Sequence, residues 1–451
     1  MTILYSVLHF LVDGVCALAM FGGFLSGEQG YFYILVYNFC AFALQMPLGA
    51  ALDMLNAPGR EKGKRDPVFW TAAAGVFCTM AGAFTHPAVL GLGNALFHVG
   101  GGVGCIREDH ARKWQGRGLG VFVAPGALGL YLGTVIAKGG PWETWVWGIG
   151  AVMLFLCLGA LYGQRQHDEA KAGAGRSGKR EAGQPAEAAG ETVCRQERQE
   201  AAGETVCPNG ICRANSRKDC ESRESRGQEE GGRESRDPES TYRNDKLQTS
   251  GKTEHKERYS VRKAAAVILC LAVVVLRSYL GMAVSFSWKT GVPAGILAVA
   301  ALAGGKAAGG FAGARYGFRK TALVSLILAA FFYFFSSSLP LSMPLGLAAL
   351  FFFNMTMPLT LYWMVCILPE MSGFAFGFLT FALFLGFLPG YFGWQTGVDG
   401  AILGGAGSLV SLVLLWGALS FPSYRKTWRH VCGAKSRKRD SVSSGLDRRR
   451  L

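Results

Sequence analysis

His9, Asp13, His98 and Arg277 each lie inside a stretch that is otherwise apolar. Ionisable groups are costly in hydrocarbon, so each is a candidate site for a proton, an ion or a solute. His9 and Asp13 are four residues apart, which puts them on one face of a helix. A histidine beside a carboxylate suits a proton relay; the alternative is a pair near a helix end that only anchors it. His98 is followed by Gly100, Gly101 and Gly102, which permit close backbone approach. It either carries a proton or touches solute, or it makes a hydrogen bond between helices. Arg277, near the middle of its stretch, requires an anion, a carboxylate or a water-filled cavity. Asp13 is a candidate partner for it, and a purely structural ion pair is the other reading. Asn38, Gln45 and Asn354 are neutral polar groups suited to helix-to-helix hydrogen bonds or to solute contacts. Trp363, Tyr279, Phe286 and Trp394 could line a cavity, although interfacial or lipid-facing placement suits any one of them.

The elements that must position these groups are apolar helices. Half of the 451 residues are hydrophobic and 17% are charged, against about a quarter in a soluble domain. The mean hydropathy is +0.24. Stretches of about 20 residues with little or no charge can each cross a bilayer. They predict helices over 3–22, 32–53, 68–84, 88–105, 117–137 and 143–162, then over 264–287, 292–311, 321–338, 343–366, 373–390 and 399–419. The expected fold is an all-α polytopic membrane protein of twelve transmembrane helices in two pseudo-symmetric six-helix bundles. The first helix should be permanent rather than a cleaved signal, because no positive charge precedes it and His9 and Asp13 interrupt it. The expected domains are an N-terminal bundle over 1–162, a linker over 163–262, a C-terminal bundle over 263–421 and a basic tail over 422–451. The linker is polar and poor in aromatics, and it repeats AAGETVC at 188–194 and 201–207. Such a segment should be disordered, with some transient helix near 184–202.

A net charge of +15 would ordinarily suggest nucleic acid as a partner. Here the basic residues sort by loop instead. Arg60, Lys62, Lys64 and Arg65 fall between the second and third helices, Arg107, Arg112, Lys113 and Arg117 beside the fourth and fifth, and Arg315, Arg319 and Lys320 between the eighth and ninth. With the linker and tail, all fall on one side if twelve helices alternate, leaving Lys138 and Lys289 on the other. The positive-inside rule then places both termini and the linker in the cytoplasm, at the inner or plasma membrane of the cell. Cys16, Cys40, Cys78, Cys105, Cys157, Cys270 and Cys366 sit singly in apolar runs and read as packing residues. Cys194, Cys207, Cys212 and Cys220 in the linker are too loosely spaced for a convincing zinc site, so no metal or cofactor is expected. The chain has no Walker loop, zinc protease box or nucleophile elbow, which argues against an ATP-driven pump and against an enzyme. Two six-helix halves point to a secondary transporter with its site between them near mid-membrane. The glycines Gly126, Gly129, Gly133, Gly373, Gly377 and Gly386 permit close crossings, and Pro47, Pro344, Pro358 and Pro389 mark kinks or ends.

Gly49-Ala50-Ala51-Leu52-Asp53, with Asn56 and then Pro58-Gly59-Arg60, and the second stretch from Gly310 through Ala314, Arg315, Gly317 and Arg319 to Lys320, are partial copies of one pattern. It resembles the signature loop of the major facilitator superfamily, in which a glycine opens the loop, an acid follows four residues later and a turn glycine with basic residues closes it. Asn94-Ala95-Leu96-Phe97-His98 and Arg277-Ser278-Tyr279 are similar to segments of the fosmidomycin-resistance-like efflux branch, with Val99 where that branch has proline. The resemblance implies alternating access, gating by Gly49, Asp53, Gly310, Arg315, Gly317 and Arg319, and efflux as an antiporter. Protonation of Asp13, with His9 or His98 nearby, would work against the fixed charge of Arg277. The expected partners are a small solute, protons and the lipid bilayer, with no nucleic acid, and the expected state is a monomer. The alternative is a receptor or scaffold that kept the fold, with the linker as its working part; a polytopic membrane enzyme is a third class.

Overall fold

The computed structural model describes residues 1–57, 66–181, 238–337, 341–394 and 396–420. Helices account for nearly all of them. The first half comprises α1 (Thr2–Gly22), α2 (Gly30–Leu55), α3 (Pro67–Ala83), α4 (Pro87–Arg112), α5 (Arg117–Ala137) and α6 (Trp142–Glu181). The second comprises α7 (Pro238–Ala283), α8 (Gly291–Tyr316), α9 (Phe318–Phe335), α10 (Ser342–Ile367), α11 (Ser372–Tyr391) and α12 (Gly400–Leu419). Among the described residues eleven helices are long and apolar enough to cross a membrane, and α3, with 17 residues, is a shorter apolar one. The chain is an all-α polytopic membrane protein.

Local chemistry fixes where these helices begin. Asp66 accepts from the Val68 N–H at 3.1 Å with Pro67 as the first helical residue, and His86 does the same for Ala88 ahead of Pro87. Both satisfy an N–H that no helix carbonyl can reach. Asp399 caps α12 through Ala401 at 2.8 Å. α1 runs through the interior of its half, with Val12, Val15, Leu18 and Ala19 fully buried. α6 instead exposes Trp145, Trp147, Phe155 and Leu158, as a lipid-facing helix does.

Three helices break within their spans. α2 widens into a π turn over Phe39–Ala43, α5 is interrupted at Ala124, and α10 at Met355. Pro47, Pro125 and Pro358 follow. Each proline removes the N–H that would bond the carbonyl four residues earlier, at Ala43, Val121 and Asn354 respectively. The breaks therefore follow from sequence, and they expose backbone groups next to the cavity described below.

Two crossings join the halves at the end that carries Met1. A methyl group at Gly49 of α2 would collide with the Gly373 carbonyl of α11, and one at Gly310 of α8 would press on Gly116 and Gly120 beside and within α5. Only glycine permits such approach. At the opposite end Tyr31 of α2 stacks on Tyr391 of α11 with ring centroids 4.3 Å apart. The Tyr31 hydroxyl donates to the Tyr391 carbonyl at 2.6 Å, and the Tyr391 hydroxyl donates to the Tyr31 carbonyl at 3.2 Å. Tyr131 of α5 donates to the Val292 carbonyl of α8 at 3.0 Å.

By internal contacts the chain divides into Met1–Leu158 with Glu254–Leu451, and Gly159–Thr253. The site lies wholly in the first unit. The segment expected to be disordered is helical at both margins, to Glu181 and from Pro238. Alanine, Glu, Lys, Arg and Gln favour helix and extend readily from a helix already nucleated. Residues 182–237, with the repeat and Cys194, Cys207, Cys212 and Cys220, lie outside the described residues, as do loop 58–65 and the tail from 421.

Candidate functional site

A cavity of about 600 Å³ lies between the halves, lined by α1, α2, α4 and α5 on one side and α7, α8, α10 and α11 on the other. That size suits a small organic solute. His9, Asp13, His98, Arg277, Asn38, Gln45 and Asn354 all border it.

The first half supplies a cluster. His9 and Asp13 project from one face of α1, with His9 Nε2 3.2 Å from Asp13 Oδ2. His98 of α4 places its Nε2 2.9 Å from His9 Nε2 and 3.8 Å from Asp13 Oδ1. Asn94, one turn before His98, donates to Asp13 Oδ1 at 3.0 Å. The floor is Gly126 of α5, where a methyl group would collide with His9 and Asp13. Gly129 and Gly133 continue the close crossing of α5 on α1.

Hydrogen-bond roles in this cluster follow from its partners. His9 Nδ1 faces the Phe122 carbonyl at 2.7 Å, beside the break in α5, and His98 Nδ1 faces the Asn94 carbonyl at 2.9 Å. A carbonyl oxygen only accepts, so both Nδ1 atoms carry hydrogen. In two neutral rings both Nε2 atoms would then be bare acceptors facing each other. At 2.9 Å the two Nε2 atoms are within hydrogen-bond distance, a contact that a proton on either ring would satisfy. The Asp13 carboxylate lies beside both rings.

The same ligand atoms lie within 4.8 Å of one another, and two histidines with a carboxylate, each ring anchored on a backbone carbonyl, also form a metal-ligand set. Arg277 and Lys306 on the same cavity oppose a divalent cation, and a single proton is the better fit.

The second half supplies cations. Arg277 of α7 is 8% exposed, donates from Nη2 to Thr356 Oγ1 at 2.6 Å and lies 6.0 Å from the Phe353 ring centroid; its Nε is buried with no hydrogen-bond partner among the described residues. Thr356 is available because α10 breaks just before it. The expected pairing of Asp13 with Arg277 does not form: among the described residues no carboxylate lies within 4.0 Å of Arg277. Asp13 is already held by two histidines and Asn94. Lys306 of α8 also lines the cavity, within electrostatic reach of Asp13 and Arg277, and has no salt-bridge partner among the described residues. Sequence reasoning passes over Lys306, although the rule that singles out Arg277 applies to it equally.

The neutral polar residues bond within their own helices: Asn38 to the Ile34 carbonyl at 2.7 Å, Gln45 to Ala41 at 2.6 Å, and Asn354 to Leu350 at 2.8 Å. Gln45 Oε1 is buried at the cavity wall without a partner among the described residues. The aromatic lining is Phe21, Tyr37, Phe42, Phe122, Phe376 and Phe387. Trp363 is turned away, donating to the Ala418 carbonyl at 3.2 Å, and Trp394 is exposed.

The two loop motifs behave differently. Asp53 reaches across to α11, accepting from Gly373 N at 2.9 Å and Phe374 N at 2.7 Å. Arg319 stays in its own half, donating to the Leu419 carbonyl at the end of α12 at 2.9 and 2.6 Å. Arg315 lies over the Tyr316 ring at 5.7 Å, and Gly317 turns between α8 and α9 with φ +92°. The second motif has Ala314 where the first has Asp53, so no reciprocal cap forms.

No family model matches the chain, and no curated protein sequence does. Solved structures are similar over most of its length. A singly substituted form of the E. coli fucose:proton symporter FucP covers 93% of this chain and 97% of its own at 12% identity and a TM-score of 0.46. A structure of FucP described as a major facilitator superfamily transporter in the outward conformation covers 92% and 99% at 10% identity and a TM-score of 0.47. The nucleoside transporter NupG covers 94% and 98% at 10% identity and a TM-score of 0.40.

Proposed function

We propose that this chain is a secondary active transporter of the major facilitator type, moving a small solute by alternating access and coupling it to protons. The observation that carries the proposal is the cavity between the halves with the His9–His98–Asp13 cluster of titratable side chains on its wall. When the halves rock, the cluster passes from one aqueous side to the other and its desolvation changes. Its proton affinity then differs between the two states, and this links proton to solute. Asp53 on α11 and the Tyr31–Tyr391 pair are the contacts that would break alternately at the two ends. The sorting of basic loops supports a cytoplasmic location for both termini and the linker at an inner or plasma membrane; the apolar stretches support the domain limits 1–162, 163–262, 263–421 and 422–451. Efflux is favoured over uptake only by the resemblance of the Phe97-His98 and Arg277-Ser278 segments to the fosmidomycin-resistance-like branch.

The test is purified protein in proteoliposomes, with candidate solutes chosen from a growth screen of deletion and overexpression strains. Solute movement driven by a pH gradient, and lost in Asp13→Asn and His98→Gln, supports the proposal. Flux indifferent to the gradient removes the proton coupling. A folded protein that moves no solute from the screen removes transport altogether.

A further inference from the structure

We infer that the cavity takes an organic anion, its acid group on Arg277 and Lys306 and its body against apolar side chains. The inference rests on the transport reading of the cavity and adds the class of its solute.

The charges of the cavity do not balance. Asp13 is its carboxylate among the described residues, and that carboxylate is already engaged by His9, His98 and Asn94 in the first half. Arg277 and Lys306, both from the second half, face the cavity, and among the described residues no carboxylate lies within 4.0 Å of either. Arg277 bonds to the neutral hydroxyl of Thr356 and lies 6.0 Å from the Phe353 ring centroid, and its buried Nε has no hydrogen-bond partner among the described residues. A neutral hydroxyl and a ring face only partly offset the desolvation of a buried cation; an anion supplies charge and acceptor atoms together. A guanidinium presents a fork of donors that matches a carboxylate or phosphonate, and a nearby ammonium adds a point charge.

The rest of the wall is apolar. Val274, Leu302, Met357, Leu379 and Leu383 line the same cavity as the cations. A bare inorganic ion would leave that surface uncovered within a 600 Å³ space, so the anion carries a hydrocarbon or aromatic body. A cationic solute would meet two positive charges at close range.

The experiment uses the full-length protein in lipid nanodiscs and a library of several hundred small acids, amines and neutral compounds. It includes phenylphosphonate, phenylacetate, phenethylamine and phenethyl alcohol as a matched set. Thermal shift identifies binders, and titration gives their affinities. Acids are expected to dominate the binders. Lys306→Gln should weaken their binding roughly 10- to 100-fold, the size of a charged hydrogen bond. Lys306 has no salt-bridge partner among the described residues, so this change leaves the fold intact. Arg277→Lys keeps the charge but not the fork, and should discriminate against phosphonates and carboxylates more than Lys306→Arg does. A library without acidic binders overturns the inference, as does acid binding unchanged in Lys306→Gln and in Arg277→Lys. Flux assays on the same protein separate the two readings. Transport of a neutral or cationic solute without acid binding leaves transport standing and removes the anion. Acid binding that responds to both variants, in liposomes that move nothing, leaves the anion site standing and removes transport.

Discussion

Asp53 ends α2 in one half yet gives both carboxylate oxygens to α11 in the other, at 2.9 Å to Gly373 N and 2.7 Å to Phe374 N. These N–H groups belong to the first turn of α11, where no helix carbonyl can reach them. The contact exists only while the Met1 ends of α2 and α11 touch. Asp53→Ala removes both bonds and the charge that faces the positive end of the α11 dipole. Loss of such a cap costs about 0.5–2 kcal/mol. Because the cost falls on the closed state alone, the population should shift toward opening at that end by roughly 2- to 30-fold. Hydrogen exchange reads this directly: peptides covering Gly373 and Phe374 should exchange faster by about that factor, while the α1–α5 crossing stays protected. Asp53→Asn keeps one acceptor and should fall between. If Asp53→Ala folds and those two amides exchange at the unaltered rate, Asp53 does not hold this end closed.

Gly49→Ala should act in the same direction by a different route, since its methyl group meets the Gly373 carbonyl. Overpacking of this kind costs about 1–3 kcal/mol, read as a lower Tm together with faster exchange at the start of α11. Gly126→Ala intrudes on His9 and Asp13; it should depress pH-driven flux in proteoliposomes while solute binding, followed by thermal shift, is retained. Tyr31→Phe combined with Tyr391→Phe keeps the ring stack and removes both hydroxyl bonds. Cys16 borders the cavity, so its labelling by a membrane-impermeant maleimide, followed by peptide mass spectrometry, should rise several-fold; no change would show that the tyrosines do not restrict entry.

The starts of α3, α4 and α12 are legible in the sequence because polar caps bound them: Asp66-Pro67, His86-Pro87 and Asp399 each mark a start that backbone chemistry enforces. The breaks in α2 and α10 are legible from Pro47 and Pro358 for the same reason. Pairings between helices are not. That Asp13 meets His98 and Asn94 rather than Arg277 depends on how α1 rotates against α4, which Gly126, Gly129 and Gly133 set by letting α5 press on α1. Lys306 is hidden among Gly304, Gly305, Gly309 and Gly310, where small residues suggest a helix crossing. It is both in a crossing helix and on the cavity. The margins of the linker depart from the expected disorder because polar composition argues against a packed core, not against a helix that continues from a buried one.

The placement of charge across the cavity explains how such a molecule would couple two solutes without a dedicated wire. The titratable cluster sits on α1 and α4 of the first half, and the fixed cations sit on α7 and α8 of the second. Rocking of the halves changes the distances between the two sets. Two unit charges about 8 Å apart interact by about 2 kcal/mol at an effective dielectric of 20, falling inversely with distance. Doubling that separation removes about 1 kcal/mol, at the lower end of the range of about 1–3 kcal/mol typical of coupling between sites. A bound anion that neutralises Arg277 and Lys306 would cancel the same interaction. Under the proposed function, solute binding and proton binding would each alter the cost of one shared motion, and the reciprocity that coupling requires would follow from where the charges sit.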